Sequence, residues 1–229
     1  MHVFSGGAAE AAVKAVQAEF EKTTGTRIHG TFSAVGMMRD KLLSGEACDV
    51  VIFTKPIIEQ LIASGHVVAG SARSLGKVKT GIAVRSGTAH PSVKTRAELH
   101  AAMSAAQGIY FPDPDKATAG IHFLGVLKAL GLDETLRSKF RVFPNGVTAM
   151  GEMAKSSDTG MIGCTQVTEI NYAHGVDLVD VLPPEFELST DYTLGLCTKA
   201  ENPAHAQQLI DLLTGPASEA VRRQGGFEF

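Results

Sequence analysis

Three times within its first 65 residues the chain passes from a short apolar run, through a turn of small residues, into a segment with helical periodicity. First comes His2-Val3-Phe4, then Ser5-Gly6-Gly7, then an amphipathic stretch from Ala8 to Thr24. In that stretch Val13, Val16 and Phe20 recur at helical spacing, and Gly25 is the expected stop. The second unit predicts a strand over Arg27–Phe32, the turn Ser33-Ala34-Val35-Gly36, and a helix from Met37 to Ser44. The third has Asp49–Phe53, an unbroken apolar run of the kind buried on both faces of a parallel sheet. Thr54-Lys55-Pro56 then opens a helix with Ile57, Ile58, Leu61 and Ile62 as its stripe and Gly65 as its end. Repeated β-α units of this kind specify an α/β fold with a mostly parallel sheet.

The pattern continues. Strands are expected over Lys77–Arg85, Gly108–Phe111, Arg141–Phe143, Thr159–Gly163, Val176–Leu182 and Leu188–Thr198. Helices are expected over Arg96–Ala106, Ile121–Leu130 and Val147–Lys155, from Cys164-Thr165-Gln166 towards Tyr172, from Asn202-Pro203, and over Pro216–Gln224. A chain of 229 residues suits one large domain or two lobes. Thr80–Arg85 and Leu188–Leu196 are long enough to cross between lobes. The expectation is therefore residues 1–82 plus 187–229 as one lobe and 83–186 as the other, with a ligand cleft between them at strand C-terminal ends.

A net charge of −3 gives no field for nucleic acid or an anionic membrane, so any anion site must be local. No apolar run reaches spanning length, and no membrane insertion is expected. Val3 already belongs to a strand, which leaves a cytoplasmic protein or a periplasmic one whose signal peptide has been removed. Cys48, Cys164 and Cys197 read as small buried hydrophobes with no evident disulfide pair. The eight His form no ligand-spaced cluster, so neither a metal nor another cofactor is expected. Gly70 to Lys77 misses a phosphate-binding loop by one residue of glycine spacing, and no Gly-x-Ser-x-Gly elbow occurs.

The order of Val3-Phe4-Ser5-Gly6-Gly7-Ala8, Phe32-Ser33-Ala34-Val35-Gly36, Asp49–Phe53, Ala119-Gly120-Ile121 and Gly160–Gly163 resembles that of molybdate-binding proteins. The likeness extends to Leu213–Pro216 and Gly225–Phe227, so it covers practically the whole chain. The resemblance implies a two-lobed type II periplasmic-binding fold and, as partners, a small anionic ligand and an ABC importer. It also marks departures. The two serines that hold the oxyanion in that family fall on Ala8 and Val35 here, and a cleft tyrosine falls on Gly163. Losing such charge-assisted donors, at roughly 1.5–3 kcal/mol each, disfavours molybdate. Ala8 and Gly163 suit a larger guest than a tetrahedral oxyanion, so a di- or tricarboxylate is expected. The Ser-Gly-Gly turn and the Gly120 and Gln166 regions are similar to a divergent branch of the family that includes aconitate isomerase, a cofactor-free enzyme.

A strand running through a small-residue turn into a helix aims free N–H groups and a positive helix end at one spot. On that basis Ser5, Gly6 and Gly7 form one candidate cradle, and Ser33 and Gly36 a second. Thr54 is either a ligand contact or an N-cap. Thr118, Ala119, Gly120, Asn145, Thr148, Thr165 and Gln166 complete the set. Two functions follow: a solute-binding protein for a small organic anion, or an isomerase of an unsaturated polycarboxylate. For the second, His122 is the candidate base, a neutral imidazole expected in the first turn of the Gly120 helix. Glu169, Asp113 and Arg39 are weaker alternatives for that role, each most simply a solvated helix or loop charge, and Arg39 could instead contribute to carboxylate binding.

Overall fold

The computed structural model describes all 229 residues, which divide into two units: Met1–Val78 with Thr190–Phe229, and Lys79–Ser189. The chain opens with β1 (His2–Gly6), a 3-10 turn at Gly7–Ala9, and α1 (Glu10–Thr24). Ala12, Val13, Val16 and Phe20 bury one face of α1, and Gly25 closes it at φ 71° with its N–H on Glu21 O at 2.9 Å. Next come β2 (His29–Ser33), α2 (Val35–Leu43), β3 (Val50–Thr54) and α3 (Lys55–Ala63). Strand β2 starts two residues later than expected because Glu21 draws the Ile28 amide to its carboxylate at 3.0 Å, outside the ladder. All five residues of β3 are buried, as the unbroken apolar run requires.

Strand β4 (Arg73–Arg85) contributes Arg73–Val78 to the first unit and the rest to the second. The second unit continues with α4 (Arg96–Ala105), β5 (Gly108–Pro112), α5 (Thr118–Ala129), β6 (Phe140–Phe143), α6 (Gly146–Lys155), β7 (Met161–Gln166), α7 (Val167–Tyr172) and β8 (Val176–Val181). Its strands lie in the order β4-β7-β5-β6, with β8 beside β4. The pairs β5-β6 and β5-β7 are parallel, while β7 and β8 run antiparallel to β4. Helices α4 and α5 bury Leu99, Met103, Phe123 and Leu127 against Ile82, Ile109, Phe111 and Ile162. Phe111 meets Phe123 and Phe140 edge-on at 5.5 and 5.2 Å.

Two boundaries differ from expectation in ways that matter for the site. Strand β7 runs on through Cys164, Thr165 and Gln166, which pair with Ile82, Gly81 and Thr80 and are wholly buried. Helix α5 begins at Thr118, with Ile121 N already bonded to Ala117 O at 2.9 Å.

The chain returns to the first unit through β9 (Ser189–Leu196), α8 (Pro203–Thr214) and α9 (Pro216–Gly225). That unit orders its strands β2-β1-β3-β9, the first three parallel and β9 antiparallel to β3. Helices α8 and α9 pack on α1. The buried Arg222 fixes α9 to β4 by donating to Leu75 O at 2.6 Å, and to Thr214 O, Gly215 O and Ser218 Oγ. Both units thus mix parallel and antiparallel pairs in sheets flanked by helices.

Candidate functional site

In the first unit the C-terminal ends of three parallel strands lie side by side. Gly6 at the end of β1 is in register with Ser33 at the end of β2, and Thr54 ends β3 beside Tyr192 of β9. Each strand passes directly into a helical segment, and none of the three N-caps (Gly6, Ala34 and Thr54) makes a side-chain cap bond. The first turns of the Gly7–Ala9 segment, α2 and α3 hold no acid. Glu10 comes only at the start of α1, where burial raises its carboxyl pKa against the opposing pull of Lys14. Elsewhere the same chain caps its helices with care. Thr95 and Glu98 form a capping box on α4, and the Asn202 side chain accepts His205 N on α8. The contrast leaves a row of unneutralised helix starts at one sheet edge, the arrangement that attracts an anion.

Ser5 is fully buried and its hydroxyl donates to Gly6 O at 2.8 Å. Gly7 is buried, Ser33 and Gly36 are half-buried, and the Ser33 hydroxyl lies 3.7 Å from Met37 Sδ. Gly6 sits under two side chains, for a β-carbon there would stand 2.8 Å from Val35 Cγ2 and 3.1 Å from Tyr192 Cε1. Sequence reasoning passed over Tyr192, since an aromatic in an alternating strand carries no sign of what it will cover. Arg39 spends its guanidinium on the neighbouring Asp40 at 2.8 Å.

In the second unit the equivalent edge carries the ends of β5, β6 and β7. Helix α5 starts there at Ala117 with no side-chain cap bond and no acid in its first turn. Thr118, Ala119 and Gly120 supply its first amides, and Gly120 lies hard against the Pro112 and Asp113 carbonyls. Asp113 is no free base: its carboxylate accepts the Asp115 and Lys116 amides at 2.7 and 3.0 Å, folding its own loop. Because α5 starts at Thr118, His122 falls in the second turn, where the dipole is weaker. Its Nε2 stands 2.8 Å from Phe186 O. A carbonyl can only accept, so Nε2 carries a proton, and of the two neutral tautomers this contact fits the one with its lone pair on Nδ1.

Helix α6 is different. Asn145 Oδ1 accepts Thr148 N at 2.8 Å, and the Gly146 amide donates to Glu169 Oε1 at 3.2 Å. The Thr165 hydroxyl donates to the other oxygen of Glu169. Glu169, expected on a solvated face, is 4% exposed, because the extension of β7 carries α7 inward. Gln166 is buried at the end of β7, in register with Thr80. The room expected at Gly163 is also absent: a β-carbon there would stand 2.5 Å from Met150 Cε and 3.1 Å from Met153 Cε, so the two methionines fill it.

Uncapped, acid-free helix starts thus lie at the C-terminal ends of parallel strands in each unit: three in the first and that of α5 in the second. The chain belongs to the bacterial extracellular solute-binding protein family, whose model matches residues 1–228. Its fold is that of periplasmic binding proteins. The Azotobacter vinelandii periplasmic molybdate-binding protein superposes with a TM-score of 0.81 at 17% identity, covering 100% of this chain and 99% of that one. The Mycobacterium tuberculosis sulfate-binding protein gives 0.76 at 15% identity, over 99% and 85%. In sequence the chain is 25% identical to an aconitate isomerase from a Pseudomonas species, over 97% of this chain and 86% of that protein. No helix is long and apolar enough to cross a membrane.

Proposed function

We propose that this protein binds a small organic anion, a di- or tricarboxylate, and hands it to an ABC-type importer outside the cytoplasm. The observation that carries the reading is the set of uncapped, acid-free helix starts after β1, β2 and β3, beside caps on α4 and α8. Carboxylates suit such N–H cradles without lysine or arginine. What favours a carbon skeleton over a bare oxyanion is Val35, whose methyl packs over Gly6 where the resemblance expects a hydroxyl. An apolar wall beside N–H donors matches a carboxylate attached to carbon. The family's extracellular description supports the compartment.

The test is a thermal-shift panel of molybdate, tungstate, sulfate and phosphate against succinate, citrate, tricarballylate and the two aconitates. A ligand at 100-fold its Kd adds about 2.7 kcal/mol, roughly 5–11 °C for a chain of this size. Shifts with the polycarboxylates are expected. A shift with molybdate alone would overturn the reading.

The aconitate isomerase relative favours a second reading, a cofactor-free isomerase of an unsaturated polycarboxylate. Here His122 Nδ1 takes a proton from the carbon next to a carboxylate, the double bond shifts along the allyl system, and the proton returns at the far carbon. Phe186 holds the tautomer that leaves Nδ1 free for this. Incubation in D₂O should then place deuterium in the ligand, and His122→Ala should abolish exchange while leaving binding. Full exchange in that variant would remove His122 from the role.

A further inference from the structure

We propose that the second unit carries another binding site, at the edge of its sheet remote from the start of α5, which takes an apolar α-amino acid as its zwitterion. A cavity of about 470 Å³ lies there, within the range of small-molecule pockets at roughly 300–1,000 Å³. The sequence builds it by leaving room. Ala102, Ala105 and Ala106 fall three and four residues apart at the end of α4, so they share one face and present only methyl groups to the cavity. Opposite strand ends supply the rest of the apolar lining. Strand β4 runs antiparallel to β7, which brings Val84 near the end of one into register with Ile162 near the start of the other. Val84, Met161 and Ile162 are all buried and all line the cavity.

The charges at this cavity give it a ligand class. Arg85 and Asp158 line it beside the apolar residues, and both are tied to Ser156. Arg85 Nη1 donates to the Ser156 carbonyl, and the Asp158 amide donates to Ser156 Oγ at 3.2 Å. Yet neither side chain has an ion-pair partner within the chain. The Thr88 hydroxyl, also at the cavity, is already bound to Arg85 O at 2.6 Å. Arg85 is half-buried and keeps donors beyond the one on Ser156, in the planar fork that matches a carboxylate. The exposed Asp158 carboxylate only accepts, which suits an ammonium. A cation and an anion anchored on one residue, beside an alanine-lined apolar wall, complement the three parts of an apolar amino acid. A polycarboxylate meets one cation here with an anion next to it, so this cavity does not serve the solute proposed above.

Isothermal titration of the whole protein with L-phenylalanine, 3-phenylpropanoate and phenethylamine is the test, the last two lacking the ammonium and the carboxylate respectively. L-Phenylalanine is expected to bind, and each analogue to bind about tenfold more weakly, as the loss of one charge-assisted hydrogen bond implies. Arg85→Met should bring phenylalanine affinity down towards that of phenethylamine, and Asp158→Asn towards that of phenylpropanoate. No binding of L-phenylalanine at millimolar concentration overturns the proposal, and so do equal affinities for the three compounds. Because Arg85 also holds the Ser156 carbonyl, a variant that leaves both charges in place decides if Arg85→Met fails to fold. Ala105→Phe, at an exposed helix position, fills the cavity and should abolish phenylalanine binding at an unchanged melting temperature. Phenylalanine binding that survives Ala105→Phe lies elsewhere and overturns the proposal. The citrate response of the unmodified protein tests the function proposed above and not this site, so either can fall while the other stands.

Discussion

The backbone of Gly120 lies so close to the Pro112 carbonyl that a β-carbon on Gly120 would fall inside 3.0 Å of that oxygen and 2.7 Å from the Asp113 carbonyl carbon. The obstacle is main chain at the end of β5, so no side-chain rotation relieves it. Gly120→Ala must push α5 away from the strand whose Phe111 packs on Phe123. A loss of about 2–4 kcal/mol is expected, in the range of backbone and overpacking effects, and read as a lower urea midpoint at unchanged slope. A variant as stable as the parent would mean that α5 does not press on β5 in this way.

The exchange of two hydroxyls for apolar side chains gives a second prediction. Ala8 is buried in the 3-10 turn after β1, and Val35 opens α2. Ala8→Ser with Val35→Ser restores two donors at these helix starts. Each charge-assisted bond at ~1.5–3 kcal/mol raises molybdate affinity by roughly tenfold or more, measured by titration, and weakens any carboxylate that packs on the Val35 methyl. No gain in molybdate affinity would mean that these turns do not face the ligand.

How much of this was legible in the sequence depends on the range of the forces involved. Apolar periodicity and glycine stops located β1, α1, β3 and α3, because strand burial and helix faces are set by neighbours within a few residues. The extension of β7 to Gln166 was not legible, since Cys164-Thr165-Gln166 is held extended by β4, some eighty residues distant in the chain. The same non-local pairing turned Glu169 inward, and no local pattern separates a buried glutamate on a short helix from a solvated one. Gly163 failed for a like reason: a small residue promises room, but Met150 and Met153 arrive from α6 to fill it. The glycine-turn helix starts were visible. Which of them remain uncapped was visible only once Asn145 and Glu169 had been placed.

Arg222 supports a prediction about the fold alone. Its guanidinium is buried and donates to three carbonyls and the Ser218 hydroxyl, joining α9, the end of α8 and β4. Arg222→Met keeps the stem and leaves those acceptors without donors. A loss of about 2–4 kcal/mol is expected from several unmade buried bonds. Arg222→Lys should recover little of it, because an ammonium cannot span this fork of acceptors. Full stability in the lysine variant would show that charge alone suffices here.

The cysteines give the last prediction. All three are free and buried. The Cys48 thiol is held far above the ordinary thiol range, first by a hydrogen bond with Cys197 and then by burial, and burial alone raises Cys164. The thiolate is the nucleophile, so native protein at about pH 8 should take up no iodoacetamide at Cys48 or Cys164, whereas denatured protein should label fully. The sign for stability follows. A folded thiol with a raised pKa keeps its proton when the unfolded thiol, near ~8.5, has lost it. Its contribution is complete below that unfolded value and falls as pH climbs through the alkaline range towards the folded one. Melting temperature should therefore decline above about pH 8.5, and Cys48→Ala with Cys164→Ala should flatten that decline. Rapid native labelling at either site, or an alkaline decline that survives both substitutions, would contradict the burial that the fold assigns to these thiols.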